Sequence, residues 1–268
     1  MRLHYALLWP AMWGLALCLA LGLVTWVVSV AREDASLADR IWPLAVGGAG
    51  LVQMALFPAA VGTRGLVMAL LGIVWSARLC IFLTVRNWGH GEDRRYRALR
   101  ERNAPGFGWK SLYLVFGIQA VLAWMVSAPF LIGAIGEAPW GWIDSAGAAL
   151  TVFGIIFESV GDAQLARFKA DAAHRGKVMD RGLWRFTRHP NYFGEACVWW
   201  GLWLMAVSGA GWLGAWSVVS PLLMTVLLLK VSGVAMLEKD LAERRPAYRD
   251  YIARTNAFMP GPPRRTST

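Results

Sequence analysis

The stretch Gly182-Leu-Trp-Arg-Phe-Thr-Arg-His-Pro-Asn-Tyr-Phe-Gly-Glu195 passes from dense polarity straight into an apolar run. It closes a longer polar segment, Asp162 to Glu195, which holds seven Lys/Arg and two of the four histidines. The runs beside it approach roughly twenty residues, the length at which a helix crosses a hydrocarbon layer. A polar segment this dense, set between such runs, reads as a loop at a membrane boundary. Composition agrees: 57% of the 268 residues are hydrophobic, 16% are charged and 16 are tryptophan, which excludes an ordinary water-soluble domain.

Working outward, the apolar runs predict an all-α polytopic membrane protein with seven transmembrane helices. They span about Tyr5 to Val30, Ile41 to Val61, Leu66 to Val85, Ser111 to Ile135, Trp142 to Val160, Tyr192 to Val207 and Leu213 to Leu237. The first is too long for a signal-peptide core and others follow, so a membrane helix is expected rather than a leader. Gly47, Gly48 and Gly50 let the second helix approach its neighbours, and Gln53 is expected to face protein rather than lipid. Thr63-Arg64-Gly65 reads as a tight turn. The loop Arg86 to Lys110, the segment Asp162 to Glu195 and the tail from Glu238 carry seven Lys/Arg each; the links between them have none apart from Arg64. By the positive-inside rule those basic segments and the C-terminus are cytoplasmic, and seven spans put the N-terminus outside. The net charge of +10 is therefore a topology signal, not a nucleic-acid footprint. Tyr5, Trp9, Trp140, Trp142, Trp212 and Trp216 near span ends fit interfacial belts. Cys18, Cys80 and Cys197 form neither a disulfide framework nor a metal knuckle.

Polar residues at membrane depth require partners or functions. Arg78, Glu158, Glu195 and Lys230 stand out, with Arg78 read as a candidate buried ion-pair partner. Glu158 and Asp162, four apart, share a helix face, and Lys169 joins it if that helix continues. Arg167, Lys169, Arg175, Lys177, Arg181, Arg185 and Arg188 suit phosphates. Pro190 after Arg188-His189 fits a helix's first turn, which sets Asn191 and Tyr192 at an anion-favouring N-terminus and Glu195 one turn on. With neither a Gly-x-Gly-x-x-Gly nor a Walker loop, a nucleotide here would be held by other means. No metal site is expected, and His4, His90 and His174 read as exposed.

The quoted stretch resembles the signature of the steroid 5-alpha-reductase-like membrane reductases, in particular their bacterial branch. Gly91-Glu-Asp-x-Arg-Tyr96-x-x-Leu-Arg100, Glu158-x-x-x-Asp162-x-Gln164-x-x-x-Phe168-Lys169, Trp199-Trp200-Gly201, and Leu237-Glu-Lys through Tyr248-x-x-Tyr251-x-x-Arg254-Thr255 match as well, across about Ser36 to Pro263. The Arg-His-Pro-Asn-Tyr core is shared in variant form with isoprenylcysteine carboxyl methyltransferases and membrane sterol reductases.

The resemblance implies a single integral membrane domain over 1–268 in a bacterial inner membrane, binding NADPH from the cytoplasm. Residues 1–110 would form the substrate side and 111–268 the cofactor side. Asp162, Lys169, Lys177, Arg188, His189, Asn191, Tyr192, Glu195, Tyr251 and Arg254 then become cofactor candidates. The Gln-Glu pair that polarises the substrate carbonyl in the steroid enzymes is represented here by Gln53-Met54, without the acid; the nearest alternative acid is Asp39. The expected reaction is NADPH-dependent reduction of an activated carbon–carbon double bond in a lipophilic, membrane-dissolved substrate. Tyr96, Gln53 or Asp39 would supply the group that steadies the enolate oxygen. The alternatives are an S-adenosylmethionine-dependent methyltransferase acting on a lipid or prenyl carboxylate, and a non-enzymatic lipid-binding protein.

Overall fold

The structure is a computed structural model that describes residues 2–56, 62–231 and 246–264. The Leu237-Glu-Lys motif lies outside them, as does the Tyr5 side chain. Among the described residues there is helix and no strand. Five helices are long and apolar enough to cross a membrane: Leu7–Arg32, Thr63–Asn87, Phe107–Ala134, Trp142–Ala170 and Trp212–Lys230. They mark the chain as an integral membrane protein. The second and sixth expected spans are helices of 19 and 21 residues, Leu37–Ala55 and Pro190–Ala210, outside those five. The chain divides into two compact units, 1–144 with 205–220 and 145–204 with 221–268.

In the first unit, α1 (Arg2–Arg32), α2 (Leu37–Ala55) and α3 (Thr63–Asn87) are followed by the short α4 (Arg94–Arg102). The fourth span is α5 (Phe107–Ser111), a π-helical stretch (Leu112–Gly117), α6 (Ile118–Val126) and α7 (Ala128–Ala134). The core gathers Met68, Trp75, Val126 and Phe130. Small residues make it possible: a Cβ at Gly50 would stand 2.6 Å from Phe130 Cγ, and one at Gly72 would stand 2.6 Å from its Cζ. The expected close approach through Gly47 and Gly50 is present, and Gln53 is buried as expected, donating to Ser127 Oγ at 3.1 Å.

Two local expectations are corrected. Thr63-Arg64-Gly65 is not a separate turn but the first turn of α3. Arg64 lies buried, its guanidinium forked onto Asp144 at 2.6 and 2.9 Å and also donating to the carbonyls of Gly136 and Pro139. The loop Arg86 to Lys110 contains α4, because its Arg, Leu, Ala and Glu residues favour helix and the Asp93 carboxylate caps it by accepting from Arg95 N at 2.9 Å.

In the second unit, α8 (Trp142–Ala170) outlasts its apolar run by one polar extension, so Asp162 and Lys169 do share a continuous helix. After the 3-10 turns Ala172–His174 and Gly182–Arg185 comes α9 (Pro190–Ala210). Pro190 opens α9, as its fixed φ suits. The stretches of α8 and α9 within this unit run antiparallel along a glycine seam. A Cβ at Gly154 would stand 2.5 Å from Gly194 O, one at Gly194 2.6 Å from Glu158 N, and one at Gly201 2.5 Å from Gly147 O. Only glycine allows backbones this close. α11 (Val219–Val226), reached after the short α10 (Trp212–Trp216) of the first unit and continued by a π-helical stretch (Leu227–Val231), and α12 (Pro246–Arg254) complete the described helices.

Candidate functional site

The sequence candidates gather in two polar constellations, one in each unit. In the first unit the sequence candidates Asp39 and Tyr96 meet. Asp39 lies in the first turn of α2, where the N-terminal dipole favours a carboxylate. Its Oδ1 accepts from Tyr96 Oη at 2.6 Å, and its Oδ2 accepts from Arg95 Nη2 at 2.7 Å. Both carboxylate oxygens are engaged, so Asp39 anchors its neighbours rather than standing open as an acid. Burial, then the Asp39 charge and the hydrogen bond to it, hold the Tyr96 phenol well above the ordinary phenol range. Arg95 is likewise held above its usual value: burial works against its charge, but Asp39 and Asp93 outweigh it.

A residue not on the candidate list completes the chain. Gln119 Nε2, on α6, donates to Tyr96 Oη at 3.0 Å. Gln119 also lines a cavity whose other walls include Cys18, Thr25, Trp42, Phe116 and Ala120. An intramembrane glutamine was visible in the sequence, but nothing local indicated a partner 23 residues away.

Gln53 does not belong to this group. It sits 14 residues beyond Asp39 on α2, roughly 21 Å along the axis at 1.5 Å per residue, and bonds Ser127 instead. The three candidate catalytic residues therefore separate into a hydrogen-bonded pair and a remote one.

In the second unit the seam brings the α8 segment Glu158–Asp162 alongside the start of α9. A Cβ at Gly161 would lie 3.1 Å from Pro190 Cγ. Glu158, Asp162, Arg188, His189 and Glu195 are all buried, at 2, 3, 7, 4 and 8% exposure. Polar groups this deep in an apolar helix pair require partners, and each of these residues has one. Asn191 Oδ1 is buried without a hydrogen-bond partner among the described residues. The His189 and Tyr192 rings stack, with centroids 5.2 Å apart. Around this cluster Arg167, Lys169, Arg175, Lys177, Arg181 and Arg185 are exposed.

Three expected cofactor residues hold the segment together. Arg188 Nη1 donates to the carbonyls of Ile252 and Thr255, and its backbone N donates to Asn256 O at 2.9 Å. Tyr251 Oη donates to the Trp184 carbonyl, and burial, then the neighbouring Tyr248, pushes that phenol upward. Arg254 pairs with Asp180 at 2.7 Å, both partly exposed. Trp184 Nε1 donates to Gly161 O at 2.9 Å, and Gln164 Oε1 accepts from Leu183 N at 2.9 Å. Gly182 has a φ of +58°, which favours glycine, and a Cβ there would press on the Gln164 amide that holds Leu183 N. Sequence reasoning placed Arg188, Tyr251 and Arg254 near one another but not their tying role. Among the described residues no group of three or more His, Cys, Asp or Glu is placed to hold a metal.

Comparison with known proteins locates this arrangement. A family model described as a protein of unknown function (DUF1295) matches residues 25–255. An uncharacterised protein of the fission yeast Schizosaccharomyces pombe is 27% identical over 280 residues, covering 94% of this chain and 80% of the relative. No solved structure matches.

Proposed function

We propose a function on one premise: the chain belongs to the DUF1295 family, the steroid 5-alpha-reductase-like group. In this reading it is an NADPH-dependent reductase of an activated carbon–carbon double bond in a lipophilic substrate, within the bacterial branch of that group. The observation that carries it is the second unit's buried polar cluster, rimmed by exposed cations and built on an apolar helix pair. The residues fit the cofactor's chemistry. Asn191 Oδ1 supplies a buried acceptor for an amide N–H, Glu195 and Asp162 suit hydroxyls, and Lys169 and Lys177 suit phosphates. Arg188, His189, Tyr192, Tyr251 and Arg254 hold the cradle in shape.

Bound NADPH would supply hydride to the electron-poor carbon of the substrate. This chain's task is then to bind the carbonyl oxygen onto which charge moves, in surroundings where water does not compete. The Gln119 amide, held in place by Tyr96 and Asp39, suits that task. The proton that completes the reduction comes from water.

We also propose seven spans, with α2 and α9 added to the five, the N-terminus outside and the C-terminus and cofactor segment at the cytoplasmic face of a bacterial inner membrane. Two polar clusters within the first unit support this alternation. Arg64, Asp144 and Ser208 come together from the ends of α3, α8 and α9 that adjoin the second, fourth and sixth links, while Asp39, at the start of α2, meets Arg95 and Tyr96 of the third link. The single cation that breaks the loop-charge pattern, Arg64, is the one neutralised by Asp144.

The test is thermal stabilisation of the purified full-length protein by NADPH or S-adenosylmethionine. NADPH is expected to raise the Tm and Glu195→Gln to abolish that shift. Stabilisation by S-adenosylmethionine alone points to methyl transfer, and stabilisation by neither rejects a nucleotide-dependent enzyme.

A further inference from the structure

In the second unit the apolar surface does not stop where α8 turns polar. Phe153 and Ile156 of α8 are 46 and 57% exposed on a helix apolar enough to cross a membrane. From Phe153 a ladder of phenyl rings runs on: Phe157 at 5.3 Å between centroids, then Phe193 of α9 at 5.5 Å, then Phe258 at 5.8 Å. Phe258 belongs to residues 255–264, a strap that follows α12 and is tied to the turn 182–188. Thr187 Oγ1 donates to the Phe258 carbonyl, Arg188 N to the Asn256 carbonyl and Gly261 N to the Phe186 carbonyl, each at 2.9 Å. At the end of the ladder Met259 and Phe186 stand 63 and 43% exposed. The strap's backbone suits a dry surface. Pro260, Pro262 and Pro263 have no N–H to hydrate, and that of Gly261 among them is already met. Residues 257–263 carry no charge. Arg264 follows them, Arg185 precedes Phe186, and both arginines are exposed.

We propose that residues 255–264 together with Phe186 form a membrane-surface anchor: Met259 and Phe186 seat at the acyl boundary of the bilayer, and Arg185 and Arg264 lie on the headgroups of anionic phospholipid. Continuity decides the occupant. A patch in one piece with the outward face of a membrane helix meets the same solvent as that face. The bilayer supplies acyl chain beside Phe153, its boundary beside Met259 and phosphate beside the arginines, in that order. Long arginine side chains reach the headgroups while their stems stay on apolar surface. The strap also holds Arg188, whose side chain and backbone donate to the Thr255 and Asn256 carbonyls. Lipid on the strap therefore steadies the turn that leads into the buried cluster. The inference rests on the chain being an integral membrane protein, not on the reductase reading, and needs no nucleotide.

The test uses the full-length protein without NADPH, in nanodiscs of phosphatidylcholine alone or mixed with phosphatidylglycerol. A nitroxide label is placed at Met259→Cys, with Ile156→Cys as the acyl-chain reference and exposed Ala173→Cys as the water reference. Cys80→Ser is the background, because Cys18 and Cys197 are buried and Cys80 is only partly so. Paramagnetic resonance then compares collision with oxygen, which partitions into acyl chains, and with a water-soluble nickel complex. The Met259 label should favour oxygen as the Ile156 label does. Adding phosphatidylglycerol should raise its ratio of inserted to water-exposed label about fivefold for each arginine, the equivalent of about 1 kcal/mol per cation at an anionic surface. Arg185→Gln with Arg264→Gln should remove that rise, and high salt should remove it in the labelled protein without those substitutions. A Met259 label that favours nickel like the Ala173 label, or that is shielded from both reagents as against a protein partner, overturns the anchor. Insertion that is equal with and without phosphatidylglycerol overturns the anionic-lipid assignment. Because NADPH is absent throughout, failure of the cofactor reading leaves these outcomes untouched, and failure here leaves NADPH binding untouched.

Discussion

Removing the Asp144 carboxylate should destabilise the first unit more than any exposed substitution. Asp144 is fully buried and its partner Arg64 is 4% exposed. The carboxylate accepts from Arg64 Nε at 2.6 Å, Arg64 Nη2 at 2.9 Å, Gly141 N at 2.9 Å and Ser208 Oγ at 2.7 Å. Asp144→Ala leaves a guanidinium in place with only the carbonyls of Gly136 and Pro139, at 3.2 and 3.3 Å. Stranding a buried charge in this way costs about 3–5 kcal/mol. At about 2–4 °C per kcal/mol for a chain of this size, the melting temperature should fall by about 6–20 °C. The pair as a whole contributes far less, because both charges also lose hydration on burial. Arg64→Met with Asp144→Leu should therefore recover most of the loss. Thermal unfolding in detergent, followed by tryptophan fluorescence on the parent, the single and the double variant, measures both. A single variant within 2 °C of the parent, or a double variant no better than the single, would refute the reasoning.

Two further outcomes follow from other parts of the molecule. Gly194→Val should weaken the second unit by at least the ~1–3 kcal/mol typical of overpacking. Its Cβ alone would stand 2.6 Å from Glu158 N and 2.7 Å from Gly154 O, which are backbone atoms, whereas Gly141→Ala meets nothing within 4 Å and should melt like the parent. Tyr96 gives a pH signature. Its phenol is held neutral above the ordinary value of about 10, so the unfolded chain releases a proton there that the folded one keeps. Its contribution is complete below pH 10 and declines as pH rises toward the raised value. Stability measured from pH 9 to 11 should fall more steeply for the parent than for Tyr96→Phe, and equal slopes would contradict this.

Much of the scaffold was legible because the signals are local. Long apolar runs gave helices, Pro190 gave the start of α9, and the glycines of α2 gave close packing. Boundaries moved where local propensity and apolarity diverge: α8 continues through polar Asp162 to Ala170, and α4 arises inside a loop read from its charge. The polar clusters were only half visible. Glu158 and Glu195 stood out because each is costly in an apolar run, and Asp162 followed by sharing Glu158's helix face, but the Asp39–Tyr96 bond spans 57 residues and the Arg64–Asp144 pair 80. No periodicity reports such distances. Gln53 and Gln119 are equally anomalous as intramembrane amides, and only the packing separates the one that bonds Ser127 from the one that reaches Tyr96.

The seam between α8 and α9 also acts as a ruler. Gly154 and Gly161 on one helix, and Gly194 and Gly201 on the other, recur at seven residues, two turns of helix. Slide α9 by one turn and Val198, four residues on, stands where Gly194 must stand, its side chain against the backbone of α8. A one-turn slip is thereby excluded. The observed alignment sets the depth at which Glu195 stands relative to Glu158 and Asp162, so the height of the charge cluster within the apolar layer is written in residues that carry no charge at all.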